Sequence, residues 1–207
     1  MSYDESDAAR DEFFEQINRE LYPDHKIQAI EEFTVDRLRS FYVMHPGVMR
    51  PAVDSLQEGK ALRVLGKHSA ALVFFVTAIE LLLKATLLKP VIYGLVHHEG
   101  LADVVVRHAL GQAGFDRYEG LLADLFSRLA SIDLKTIHRE GTTTKLLEEC
   151  KELQKFRNNI VHKGEVCADA DSERAHVVSV AVYEQIVRPM LYALKLTVVE
   201  RGAIKPV

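Results

Sequence analysis

A helix built from Lys67 to Leu88 would have no face free of apolar residues. Placed at about 100° per residue, Leu72, Phe74, Phe75, Val76, Ile79, Leu81, Leu82, Leu83 and Leu87 cover nearly every direction around the axis. Such a helix has to be enclosed on all sides, which predicts a central strut with other elements packed around it. The run from Ala70 to Leu88 approaches the length of a membrane span. Thr77, Glu80 and Lys84 interrupt it and Lys89-Pro90 closes it, which favours a core helix over a membrane one.

The rest of the chain repeats the helical period, and no alternating run bounded by turn signals reads as a strand pair. The expected class is all-α, an antiparallel helical bundle with a helical extension before it. A first helix is predicted from Ser6 to Leu21, stopping before Pro23, and a second from Asp24 to Tyr42. Pro46, Gly47 and Pro51 then mark a boundary, with residues 1–46 as the extension and 47–207 as the bundle. Helices follow at Ala52 to Leu65 and Lys67 to Leu88, joined or separated at Gly66, with Pro90 ending or kinking the second. The variable middle holds segments at Leu101 to Leu110 and Phe115 to Ser131, separated by Gly111 and Gly114. A helix from Thr144 to His162 is closed by Gly164, and a final one runs from Ser172 to Arg201, kinked at Pro189 and with Ser172 as its N-cap.

The Thr144 to His162 segment is anomalous. Leu146, Leu147, Cys150, Leu153, Phe156, Ile160 and Val161 form one broad apolar face, and Arg157 falls near its middle. A guanidinium in such a place needs a partner to offset its desolvation. Glu80, turned inward on the all-apolar helix, meets the same requirement from the other side, so the two are expected to pair. Asn158 and His162 stand one turn apart on the flank of the face. Arg63 and His68 repeat the Arg-to-His spacing, but Val64 follows the Arg and Gly66 interrupts the pair, so that match reads as coincidence.

Arg157, Asn158 and His162, with Phe156 before them, Lys163-Gly164 after them and Ala78 to Lys84 upstream, resemble the HEPN superfamily of helical domains over roughly residues 55 to 200. The motif there is Arg, a polar residue, then His four to six positions after the Arg, at the end of the third main helix. The resemblance implies a four-helix core and, in catalytic members, cleavage of RNA without a metal or cofactor at sites paired across a homodimer. It assigns the catalytic part to Arg157, Asn158 and His162, with Glu80, Lys84 and Asn159 in support. It also implies a toxin or phage-defence effector, held in check by an antitoxin or another regulatory protein. One branch of the family carries a Tyr two residues after the His, where this chain has Gly164.

The residue types suit that chemistry. An imidazole with an unperturbed pKa of about 6.5 exchanges protons near neutrality. A guanidinium presents a planar fork of donors to phosphoryl oxygens, and an Asn can position either partner. Read alone, His162 is equally a helix-end histidine favoured by the C-terminal dipole, and the Glu80–Arg157 pair a purely structural ion pair. Lys151, Lys155 and Lys163 fit phosphate contacts on bound RNA and fit a solvated helix face as well. A net charge of −4 excludes a general nucleic-acid coat protein but not a local basic site. His97-His98-Glu99, Asp103 and His108 match no common zinc spacing. The remaining histidines, His25, His45, His68, His138 and His176, read as ordinary surface or core residues. Cys150 and Cys167 have neither disulfide density nor metal spacing, which suits a reducing compartment. The acidic start, Met1-Ser2-Tyr3-Asp4-Glu5, carries no signal-peptide pattern, so a cytoplasmic place away from membranes is expected. Three functional classes stay open: a metal-independent endoribonuclease, a non-catalytic module binding RNA, a nucleotide or a protein, and a structural helical dimer.

Overall fold

The computed structural model describes residues 5–96, 99–110 and 115–207, and in them the chain is mostly helical, with a non-helical stretch at 131–145 and one short hairpin near its C-terminal end. It divides into two units, Met1–Arg37 and Leu38–Val207. The division falls inside helix α1 (Glu5–Met44), not at the Pro46–Pro51 break expected between residues 46 and 47. Pro23 does not split α1 either. One missing N–H in forty residues is outweighed by propagation that gains a bond for each further residue fixed. In the first unit most of the described side chains are exposed, and Phe13, Phe14 and Phe33 are all more than half so.

The second unit begins where α1 turns apolar, and Leu38, Phe41 and Tyr42 are buried. Helix α2 (Arg50–Val64) carries Pro51 in its first turn, where the missing N–H is harmless. Gly66, at φ +69°, then reverses the chain into α3 (His68–Leu81). A β-carbon on Gly59 would come within 2.7 Å of the Phe75 ring, so the glycine sets how closely α2 approaches α3. The central strut is confirmed: α3 packs against α2, α7 (Leu146–Lys163) and α8 (Asp169–Val182). The stretch His68–Gly94 has the length and hydropathy of a membrane span, and most of it is buried in the fold.

Pro90 neither ends nor sharply breaks the strut. The helix widens into a π-helical segment at Leu82–Leu88 and continues as α4 (Lys89–Leu95), with the proline in its first turn. In an α-helix the N–H of residue 90 would serve the carbonyl of Thr86, and proline has none. The buried Tyr42 hydroxyl donates to that carbonyl instead, at 2.6 Å. A π segment also precedes Pro189, where α8 widens at Tyr183–Val187 before α9 (Arg188–Ala193), and the two π segments pack on each other. Helices α5 (Glu99–Leu110) and α6 (Phe115–Ala130) occupy the middle of the chain as expected, while Gly111 and Gly114 lie outside the described residues.

Two expectations near the C-terminus are corrected. The N-cap of α8 is Ala168, whose N–H is held by the Asp171 carboxylate at 3.1 Å, and Ser172 lies inside the helix with its hydroxyl donating to the Asp169 carbonyl. The last helix also stops at Ala193, well short of Arg201. Lys195 takes φ +56°, and the β-branched run Thr197-Val198-Val199 then forms strand β1 (Leu196–Val199), antiparallel to β2 (Ala203–Pro206). Arg201 and Gly202 make the turn in left-handed conformations, and Ile204 donates to the Pro46 carbonyl at 2.8 Å, which ties the hairpin down.

Candidate functional site

Helix α7 is anchored by its first half and presents its second. Leu146, Leu147, Glu149, Cys150 and Leu153 are buried. Glu149 accepts two bonds of 2.7 Å from the Arg139 guanidinium, with Arg174 3.5 Å away. Burial pushes the Glu149 carboxyl up, and the two arginines more than reverse this, leaving it below its ordinary range. Toward the C-terminal end the apolar face lifts out of the core: Phe156 and Ile160 are half-buried and Val161 is 54% exposed. Gly164 closes the helix at φ +69°, its N–H bonded to the Ile160 carbonyl, and the next N–H reaches the Asn159 carbonyl.

Glu80 and Arg157 meet, as their placement predicted. Nη2 of Arg157 lies 3.7 Å from Oε2 of Glu80, while the other Glu80 oxygen accepts a 2.8 Å bond from Gln154. Their surroundings differ from the sequence reading, since the side chains are 27% and 21% exposed and neither is sealed in the core. A long, partly solvated ion pair of this kind contributes about 0–1 kcal/mol. Nη1 of Arg157 donates to Asn158 at 3.0 Å, and Nε is buried without an acceptor among the described residues. Asn158 and His162 are both exposed on the outer flank.

The supporting residues divide. Lys151 spans to Glu119 on α6 at 2.6 Å, which ties α7 to its neighbour. Lys155 and Lys163 are exposed near the helix end. Lys84 lies over the Tyr118 ring, 5.2 Å from its centroid, and Asn159 is half-buried. Burial and the nearby charge of Glu149 push the Cys150 thiol well above its ordinary range. Cys167 is pushed up to about 11, chiefly by burial and Asp171, so neither is a ready nucleophile. Among the described residues no group of three or more His, Cys, Asp or Glu is placed to hold a metal, and His97 and His98 lie outside them.

The Arg63 and His68 match, set aside as coincidence, turns out to be structurally engaged. Arg63 donates through Nε to Asp169 at 3.0 Å and pairs through Nη1 with Glu173. His68 Nδ1 stands 3.5 Å from Asp169 and 3.2 Å from the Ser172 hydroxyl. The available signal was Asp169 and Glu173, two carboxylates one turn apart and ready to face a cation on a neighbouring helix. Beside them lies a cavity of about 550 Å³, and an apolar one of about 210 Å³ lies under the hairpin at Met49, Val53, Leu82 and Val198. Neither is lined by Arg157, Asn158 or His162. No family model matches this chain, and neither a curated protein nor a solved structure matches it.

Proposed function

We propose that this protein is a metal-independent endoribonuclease of the HEPN type, acting on single-stranded RNA as a homodimer. The observation that carries the reading is Arg157. A guanidinium about one quarter exposed at a helix end keeps one buried donor, Nε, without an acceptor among the described residues. An unsatisfied donor of this kind costs about 1–3 kcal/mol, so a swing of the guanidinium onto a phosphoryl oxygen is favoured. Exposed Asn158 and His162 flank it, with Lys155 and Lys163 nearby.

In the proposed reaction the ribose 2′-hydroxyl attacks the adjacent phosphorus, the bond to the 5′-oxygen breaks, and a 2′,3′-cyclic phosphate is left. His162 takes the hydroxyl proton or protonates the leaving oxygen, Arg157 meets the charge on the phosphoryl oxygens, and Asn158 positions the phosphate. Arg157 and His162 are five residues apart, about 140° and about 7.5 Å along the helix, so one chain offers them on different flanks. A two-fold partner brings a second copy of each to the same groove. The resemblance extends this reading to a toxin or defence effector restrained by a partner protein.

The test is incubation of the purified protein with mixed RNA and DNA in EDTA. Single-stranded RNA is expected to be cut to cyclic-phosphate ends and DNA to resist, because it lacks the 2′-hydroxyl. His162→Ala and Arg157→Ala should each slow cleavage by about 100-fold or more. Wild-type rates in both variants, or a magnesium requirement, would overturn the mechanism. RNA binding without cleavage would favour the non-catalytic module, a reading supported by the way Glu80 and Asn158 already occupy Arg157.

A further inference from the structure

The cavity of about 550 Å³ between α2, α3 and α8 is lined by Lys60, Arg63, Val64, Phe75, Asp169 and His176. Its charges are arranged unevenly. Asp169 and Glu173 are both engaged with Arg63, through Nε and Nη1, which leaves Nη2 outside these pairs. Lys60, one turn earlier on the same helix, makes no ion pair among the described residues. His176 stacks on Phe75 with ring centroids 5.1 Å apart. Its Nδ1 is 3.9 Å from Glu173, too far for a hydrogen bond, and its Nε2 is buried with no partner among the described residues. Burial, and then the positive charge of Lys60, hold the imidazole below the ordinary histidine range, with Arg63 adding to this and Glu173 opposing it. Burial and the Lys60 charge both disfavour the charged ring.

Lys60, Arg63 and the His176 ring thus border one opening together with Asp169, whose charge Arg63 already answers, and the donors left over, on Lys60 and Arg63 Nη2, suit the several oxygens of a phosphoryl group better than the two of a carboxylate. The volume far exceeds that of a bare phosphate and falls in the range of small-molecule pockets, and the apolar wall at Val64 is 88% exposed. We propose that this cavity binds an organic phosphate monoester of about mononucleotide size. Lys60 and Arg63 Nη2 hold its phosphoryl oxygens, a turn of the His176 ring brings the buried Nε2 to them, and its organic part lies against Val64 and the imidazole. The site is independent of the α7 residues assigned to RNA cleavage.

Calorimetric titration of the full chain with inorganic phosphate, ribose 5-phosphate and AMP tests this at low ionic strength. Saturable binding of at least one of the two organic phosphates is expected, tighter than that of inorganic phosphate. Lys60→Ala, an exposed position that leaves the fold intact, should weaken it about tenfold or more, as for loss of one charge-assisted hydrogen bond. Lys155→Ala on α7 should leave it unchanged. The proposal is overturned if neither organic phosphate saturates by millimolar concentration, if inorganic phosphate binds as tightly, if Lys60→Ala binds like wild type, or if Lys155→Ala loses binding equally.

Discussion

Glu149 is 3% exposed at its side chain and faces two arginines, so it is the residue whose charge the fold can least afford to lose. Its carboxyl titrates below its ordinary range in the folded chain. The stability it contributes is therefore full above the unfolded carboxyl's pKa of about 4.3 and fades as pH falls through the folded value. Melting temperature is expected to drop on acidification below about pH 4.5, and more steeply in wild type than in Glu149→Gln. At pH 7 the variant should be less stable by about 3–5 kcal/mol, because it leaves Arg139 without its carboxylate. Equal acid sensitivity of the two proteins in urea melts would show that the carboxylate carries no such linkage. The Glu80–Arg157 pair is the counter-case: more exposed and longer, it orients the guanidinium without holding the fold together.

At the scale of elements, Tyr42 replaces a hydrogen bond that proline removes. Tyr42→Phe keeps the ring and leaves the Thr86 carbonyl short of a donor, so an expected loss of about 1–3 kcal/mol should appear in chemical denaturation. An unchanged midpoint would mean that the carbonyl finds another donor. This contact also explains which elements were legible in the sequence. Gly164 announced a helix end because its positive φ suits no other residue as well, Gly66 left open whether its two helices join until its own positive φ separated them, and the all-apolar strut announced its own burial. Pro23 and Pro90 misled because the rule for proline is local. Propagation carries the long α1 past the first, and a distant partner, Tyr42, serves the carbonyl left at the second. The hairpin at Leu196–Pro206 escaped because β1 and β2 are four residues each, too short for alternation to show, and are secured by contacts to Pro46 and Val53 far away in sequence.

For the whole molecule, the second unit is expected to stand alone if cut at Leu38 and to suffer if cut at Gly47. The longer deletion removes Leu38, Phe41 and Tyr42 from the core. Residues 38–207 should melt cooperatively near the full chain's temperature and 47–207 well below it. Matching melts of the two fragments by circular dichroism would contradict the division. The candidate site was legible in part, since Arg157, Asn158 and His162 declare themselves within one helix. The phosphate-type cavity was not, because Lys60, Arg63 and His176 come from two helices that only the fold juxtaposes. The paired π segments have a further consequence. A π turn is an α-helix holding one residue more than its hydrogen bonds need, so everything after Leu88 and after Val187 is rotated by about 100° from the phase its helix began with. Because the two π segments pack on each other, their surplus residues have to be kept or lost together: a deletion in one helix would spin its far end out of step with a neighbour still carrying its own insertion.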